Sequence, residues 1–272
     1  MRPILFEFWG LAFPAWTVFF ALAAIAAFFY VYSLLRLHSN IEILNHFKNI
    51  FALCYVAGWF GARALSILIE QFDVKTPLHF MKELFQFGPM TFYGGALAAI
   101  FMGISYIKWH KLNLGFFADR CFPAGIFALG IGRIGCFLNG DDFGLAVPEQ
   151  WNSANWAVVF PNLNDGIARF PVQLEESLFS ILFAALLYFS IKFIVVKKIS
   201  YRPGLIACFA IMFSSLHRFG NEFFRADYRG NFLDSGLSTS QGLALIFILI
   251  SMIVSSRIRW MSDEQYSAKK DF

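Results

Sequence analysis

Two stretches of the chain hold residue types suited to chemistry on an anion. The first is Gly132-Arg133-Ile134-Gly135-Cys136-Phe137-Leu138-Asn139-Gly140-Asp141-Asp142-Phe143-Gly144, which closes a long apolar run with an arginine, an asparagine and two aspartates. The second is Arg218-Phe219-Gly220-Asn221-Glu222-Phe223-Phe224-Arg225. At about 100° per residue, Arg218, Glu222 and Arg225 fall within roughly 40° of one another on a helix. Arginine presents a planar fork of donors that matches a phosphate. A charge at membrane depth is costly unless it is paired or wetted, so each of these residues marks a candidate site. Glu222 can pair with either arginine, and two arginines against one glutamate leave a positive charge for an outside anion such as a phospholipid headgroup. A purely structural ion-pair ladder, with Asp227 as a second counter-ion, is the competing reading. Arg63 is a further intramembrane arginine, for which snorkelling at a helix end is an equal alternative.

Two lesser features join these. Thr91-Phe92-Tyr93-Gly94-Gly95 puts a phenol beside a backbone that can be approached closely, although an interfacial belt tyrosine has the same look. Arg169-Phe170-Pro171-Val172-Gln173-Leu174-Glu175-Glu176 opens a helix, with Pro171 suited to the first turn and acids suited to its dipole. Gln173 and Glu176, three apart, share a face. The four cysteines Cys54, Cys121, Cys136 and Cys208 are scattered without a C-x-x-C, so neither a metal site nor a disulfide is expected.

The elements that carry these residues follow from composition. Of 272 residues, 58% are hydrophobic and 15% charged, with 36 phenylalanines, more than one water-soluble core would bury. The segments lack the alternation of a barrel, so an all-α integral membrane protein is expected. Seven apolar stretches reach the length of a span, which takes about 20 residues: Pro14–Leu35, Ile50–Ile69, Met90–Ile107, Phe116–Leu138, Leu174–Val196, Gly204–Phe219 and Gln241–Ile258. The first is about twice the length of a signal-peptide core and is read as a retained helix. Lysine and arginine gather in one set of connections (Arg36 and Lys48; Lys108 and Lys111; Lys197, Lys198 and Arg202; Arg257, Arg259, Lys269 and Lys270). That side is cytoplasmic by the positive-inside rule, which puts the N-terminus outside and the C-terminus, with a polar tail over 260–272, inside. The long connection 139–171 then forms a small extracytoplasmic head, rich in turn residues, with Trp156–Phe160 as a short strand or an aromatic anchor. The whole chain is expected to be one transmembrane domain. No basic patch interleaved with aromatics suggests nucleic acid.

These motifs resemble those of the prolipoprotein diacylglyceryl transferases. Gly132-Arg133-x-Gly135-x-Phe137-x-Asn139-x-Asp141-x-x-Gly144 is similar to that family's G-R-x-G-N-F-x-N-x-E-x-x-G. In the same order, Trp156-Ala-Val-Val-Phe-Pro161 resembles W-A-V-x-F-P, Phe170-Pro171-Val172-Gln173-Leu174 resembles H-P-x-Q-L, and Arg218-Phe219-x-x-Glu222-Phe223-Phe224-Arg225 resembles R-F-x-x-E-F-F-R. Cys136 stands for the family's asparagine, Asp141 for its glutamate, and Tyr93 and Phe170 for its histidines. The resemblance implies seven helices with the N-terminus outside, residence as a multi-pass protein in the bacterial cytoplasmic (inner) membrane, and no cofactor. It implies transfer of a diacylglyceryl group from phosphatidylglycerol to the lipobox cysteine of a lipoprotein precursor. The partners are then phosphatidylglycerol, precursors and membrane lipids, for a protein acting as a monomer. In that chemistry Arg133 and Arg218 hold the phosphate, and Glu222 and Asp141 orient them. Asn139 meets the glycerol, Gly144 and Gln173 line the substrate, and Arg225 is secondary. Tyr93 serves as base only where neighbouring arginines favour its phenolate. Two other readings remain: a divergent or inactive paralogue with another acceptor, and a small lipid carrier or transporter, which repeated broken helices would favour and which show no such signature here.

Overall fold

The computed structural model describes residues 1–9, 11–38, 40–70, 76–85, 90–227, 230, 232 and 235–258. The predicted tail 260–272 lies outside them, as do Lys75, Arg229 and Arg259. All seven predicted stretches are helical. They correspond to α1 (Ala15–Leu35), α2 (Ile41–Glu70), α4 (Phe92–Trp109), α5 (Leu114–Asn139), α6 (Val172–Val196), α7 (Leu205–Asn221) and α8 (Thr239–Arg257). The short helix α3 (Pro77–Leu84) is additional, its Thr76 cap accepting from the His79 amide. Among the described residues five helices, α1, α2, α5, α6 and α8, are long and apolar enough to cross a membrane. Helices α4 and α7 have 18 and 17 residues. Large apolar side chains stand exposed along the helices, among them Phe20, Phe29, Leu182, Leu186, Phe189 and Ile250. A surface so apolar is what lipid, not water, accommodates, and this is a multi-pass membrane protein.

The chain divides into two compact units. Unit 2, Ser39–Leu114, holds α2, α3 and α4. Its two long helices meet through glycines: a Cβ on Gly61 would strike the Gly94 carbonyl, and one on Gly94 the Gly61 carbonyl. Gly58 and Gly95 face each other more loosely, their Cβ positions 3.4 and 3.0 Å from the opposite carbonyl oxygens. Small residues let two helix backbones approach this closely in lipid. The Gly94-Gly95 pair beside Tyr93 is thereby explained as packing. Arg63 does not snorkel. It is 1% exposed, and its Nε and Nη2 donate to the backbone and carboxylate of Glu83 at 3.1 Å, which fastens α3 to α2.

Unit 1, Met1–His38 with Gly115–Phe272, holds the remaining elements. The first residues form a hairpin, β1 (Ile4–Phe8) against β2 (Leu11–Pro14), which the sequence reading did not anticipate ahead of the first helix. Helix α1 docks on α6 through Tyr30, whose hydroxyl donates to the Ala184 carbonyl at 2.7 Å. Helix α6 docks on α5 where Ser177 donates to the Gly130 carbonyl at 2.7 Å. The first turn of α7 is capped from outside itself. Its preceding residue, Gly204, has no side chain to offer, and the buried carboxylate of Asp119 on α5 accepts from the amides of Gly204 and Ala207 at 2.7 and 2.8 Å. Beside it, the fully buried Arg120 donates to the Phe116 carbonyl at 2.8 Å and lies 2.8 Å from His38 Nε2.

The head bears out the expected strand. β3 (Val158–Val159) pairs antiparallel with β4 (Ala168–Arg169) around the fully buried Phe160. Burying such a ring stabilises the loop by roughly 1.5–3 kcal/mol.

Candidate active site

The loop that leaves α5 is held on both sides. Leu145 donates to the Phe224 carbonyl at 2.8 Å, and Ala226 to the Phe143 carbonyl at 3.2 Å. On the opposite edge, Phe170 donates to the Leu145 carbonyl at 3.0 Å and Val147 to the Ala168 carbonyl at 2.9 Å. Residues 143–147 thus run as a middle strand between the end of the head and the segment following α7. Gly144 sits at the tightest point: a Cβ there would meet the carbonyl oxygens of both Phe170 and Phe224. Upstream, the buried Gln173 donates Nε2 to the Asp141 carbonyl at 2.7 Å, and Asn162 donates to the Gly140 carbonyl at 2.8 Å. The turn so clasped puts Gly140 at φ +84° and Asp142 at φ +58°. Aspartate enters that left-handed region more readily than most side chains.

This turn brings a closed circuit of alternating charge together. Arg133 Nη1 donates to Asp142 Oδ2 at 2.5 Å, and its Nε lies 2.8 Å from Glu176 Oε2. Glu176 passes to Arg218 at 3.3 Å, and Arg218 Nη2 to Glu222 Oε2 at 2.9 Å. Glu222 reaches Arg225 at 3.8 Å, and Arg225 Nη2 returns to Asp142 Oδ1 at 2.8 Å. Asp227 grips Arg225 from outside the circuit through two bonds of 2.8 and 2.9 Å. The side chains of Arg133 and Arg218 retain 12% and 19% exposure, while that of Arg225 retains 1%. So the first two stay partly accessible, and the third is an internal strut.

Helix α8 completes the arrangement from its N-terminus. Ser238 caps α8, accepting from the Gln241 amide, and donates its own hydroxyl to Glu222 Oε1 at 2.9 Å. Ser240 Oγ takes Arg218 Nη2 at 3.4 Å. A carboxylate at a helix N-terminus is favoured by the backbone dipole, and Glu222 there pairs with Arg218.

The structure brings Arg133, Arg218, Glu222 and Arg225 together as their spacing suggested, with three corrections. Helix α7 ends at Asn221, and Arg225 follows a single 3-10 turn in extended conformation, so the three residues do not share one helical face. The positive charge is not left over, because Glu176, Asp142 and Asp227 supply the missing carboxylates. The aspartate on Arg133 is Asp142, whereas Asp141 accepts from Asn139 Nδ2 at 2.8 Å. Partial loss of hydration, followed by the neighbouring Asp142 charge, raises the Asp141 carboxyl above its ordinary value, while the bond from Asn139 pulls it down. Tyr93 stands in the first turn of α4 in the other unit, half exposed. Sequence reading missed a neighbouring pair, Glu175 and His217; a histidine directly before Arg218 was the available signal. Cys136, Asp141 and Asp142 have ligand-type atoms within 4.8 Å of one another, but both Asp142 oxygens already serve arginines and Asp141 accepts from Asn139.

Compared with known proteins, residues 3–256 match the family described as prolipoprotein diacylglyceryl transferase. The chain belongs to that family. Among its similar relatives is the phosphatidylglycerol–prolipoprotein diacylglyceryl transferase of Wolbachia pipientis wMel, 27% identical over 262 residues that cover 93% of this chain and 94% of the relative. The protein of that name from Idiomarina loihiensis is 29% identical over 270 residues, covering 94% and 93%. The one from Erythrobacter litoralis is 30% identical over 219 residues, covering 77% and 73%. In this family member, the Gly132–Gly144 and Arg218–Arg225 motifs lie on opposite sides of one charge circuit.

Proposed function

We propose that this protein transfers the diacylglyceryl group of phosphatidylglycerol to the thiol of the lipobox cysteine in a lipoprotein precursor, releasing glycerol 1-phosphate. Family membership and the names of the relatives support the reaction. The observation that carries it to particular residues is the charge circuit, in which Arg133 and Arg218 stay partly accessible. In the reaction the thiol loses its proton, sulfur bonds to the glyceryl carbon, and the carbon–oxygen bond breaks with its electrons going to the phosphate. Only thiolate is a good nucleophile, and the developing phosphate charge needs fixed donors.

Arg133 and Arg218 hold that phosphate. Glu222 orients Arg218, Asp142 and Glu176 orient Arg133, and Arg225 braces Asp142. Asn139 meets the glycerol hydroxyls with Asp141 as its partner. Gln173 and Gly144 shape the wall by fixing the loop, and Tyr93 is the remaining substrate-side candidate. On this reading the chain crosses the bacterial inner membrane seven times, counting α4 and α7, with the N-terminus outside and the C-terminus inside, and the circuit opens at the outer face. The protein works there as a monomer without a cofactor, as a single transmembrane domain.

Expression in a cell depleted of its own transferase, with lipoprotein processing followed by mobility shift, tests the reading. Purified protein incubated with phosphatidylglycerol and a lipobox peptide should give a peptide heavier by one diacylglyceryl group on mass spectrometry. A stably inserted protein that neither rescues nor modifies the peptide overturns it.

A further inference from the structure

The charge circuit binds an anion but holds no base. Its three guanidiniums stay protonated, and its three carboxylates are committed to them. The proposed reaction nevertheless has to take a proton from a thiol. Histidine is the side chain whose ordinary titration lies near neutrality, and the chain has five: His38, His46, His79, His110 and His217. His46 pairs with Glu42, His79 with Glu83, and His110 packs on Tyr106. His38 is bonded to Arg120, 13 residues before Arg133 on α5, which at 1.5 Å per residue is about 20 Å away along the helix.

His217 is placed differently. It directly precedes Arg218 on α7, and its Nε2 lies 2.8 Å from Glu175 Oε1 on α6, where Glu175 directly precedes Glu176. The pairs Glu176–Arg218 and Glu175–His217 are therefore neighbouring rungs between the same two helices. The inner rung is buried and belongs to the circuit. In the outer rung the Glu175 side chain is 54% exposed against 3% for Glu176, and the His217 ring is 16% exposed. Two further contacts fix the geometry: Asn221 donates Nδ2 to the other Glu175 oxygen, and the His217 ring stacks flat on Phe179 at 3.6 Å. A carboxylate on one ring nitrogen, with the ring held by packing, sets the tautomer and orientation of a general base. The charged groups around the ring are Glu175 across the helix pair and Arg218 on its own helix, the latter engaged by Glu176 and Glu222.

We infer that His217, oriented by Glu175, is the base that accepts the proton of the acceptor thiol at the rim of the phosphate-binding circuit. With Nε2–H donating to Glu175, the lone pair on Nδ1 takes the proton. The thiolate forms the carbon–sulfur bond as the carbon–oxygen bond breaks, and the imidazolium then returns its proton to solvent. His217 is the catalytic residue in this step, and Glu175 is a positioning residue.

This inference rests on the diacylglyceryl transferase reading, and the same assay separates the two. Wild-type protein, His217→Gln and Glu175→Gln are compared with phosphatidylglycerol and a lipobox peptide from about pH 6 to 9.5, a range spanning the ordinary thiol value near 8.5. His217→Gln is expected to lose about 100-fold or more in kcat at neutral pH, as removal of a general base does. The deficit should shrink as the peptide thiol ionises by itself, with KM for the peptide unchanged. Glu175→Gln should show a smaller loss, and added imidazole should restore part of the rate to His217→Ala but none to Arg218→Ala. A His217→Gln deficit that is constant across pH, or a profile identical to wild type, overturns the assignment. So does a failure of imidazole to restore a folded His217→Ala. An inactive wild type overturns the transferase reading, and the base falls with it.

Discussion

The guanidinium of Arg133 rests on the carboxylate of Glu176 at 2.8 Å, joining α5 to α6 at the only point where both helices offer charge to the circuit. Glu176 is 3% exposed. Arg133→Ala therefore removes a proposed phosphate ligand and leaves the buried Glu176 carboxylate with Arg218 alone, at a cost of about 1–3 kcal/mol. It should abolish transfer and lower the melting temperature in detergent. Arg133→Ala combined with Glu176→Gln should recover much of the stability without recovering activity. Thermal unfolding and the peptide assay on the same preparations separate the two losses, as a double-mutant cycle requires.

Asp141 and Asp142 are adjacent but should respond oppositely. Asp142→Asn weakens the grip on both Arg133 and Arg225, and both activity and stability should fall. Asp141 has its carboxyl raised above the ordinary 3.8, first by lost hydration. A raised carboxyl contributes its stability below the unfolded value and loses it as pH rises through the folded one. At neutral pH the ionised Asp141 is thus a small liability. Asp141→Asn should unfold at a slightly higher temperature than wild type at pH 7, with the gap closing toward about pH 3, where both side chains are neutral.

A methyl group at position 144 would press on two carbonyl oxygens. Gly144→Ala should cost about 1–3 kcal/mol as an overpacked site does, and it should separate the loop from the segment carrying Arg225. Transfer activity should drop more than stability, because the strand contact sets the distance between Asp142 and Arg225. Limited proteolysis of the 143–147 segment would report its release.

Asp119 offers the reverse case. Asp119→Ala removes the cap from the first turn of α7 and should destabilise the protein by about 1–2 kcal/mol. Per folded molecule, the transfer rate should stay near wild type, since Asp119 and Arg133 lie 14 residues apart on α5, about 20 Å along the helix.

Much of this architecture could be read before any coordinates. The seven helical stretches were legible because lipid selects for uninterrupted apolar length. The arginine motifs were legible because charge in such company is conspicuous. What escaped depended on long-range partners. Asp119 and Arg120 sit inside an apolar run with nothing nearby in sequence to explain them; their partners are 81 to 88 residues off, at His38, Tyr201, Gly204 and Ala207. The choice of Asp142 over Asp141 turns on two positive-φ residues and a glutamine 32 residues away. The N-terminal hairpin was hidden because its residues are as apolar as the helix they precede.

The circuit of Arg133, Glu176, Arg218, Glu222, Arg225 and Asp142 has a consequence for turnover. Three positive and three negative charges make it electrically even before any substrate arrives. In the proposed reaction a headgroup phosphate would therefore compete with resident carboxylates for each guanidinium edge. The same competition favours departure: once the ester is cleaved, the product's second negative charge faces Glu176 and Glu222 as rivals already in place. A pocket of bare arginines would grip its leaving group and stall, whereas this one carries its own displacing anions.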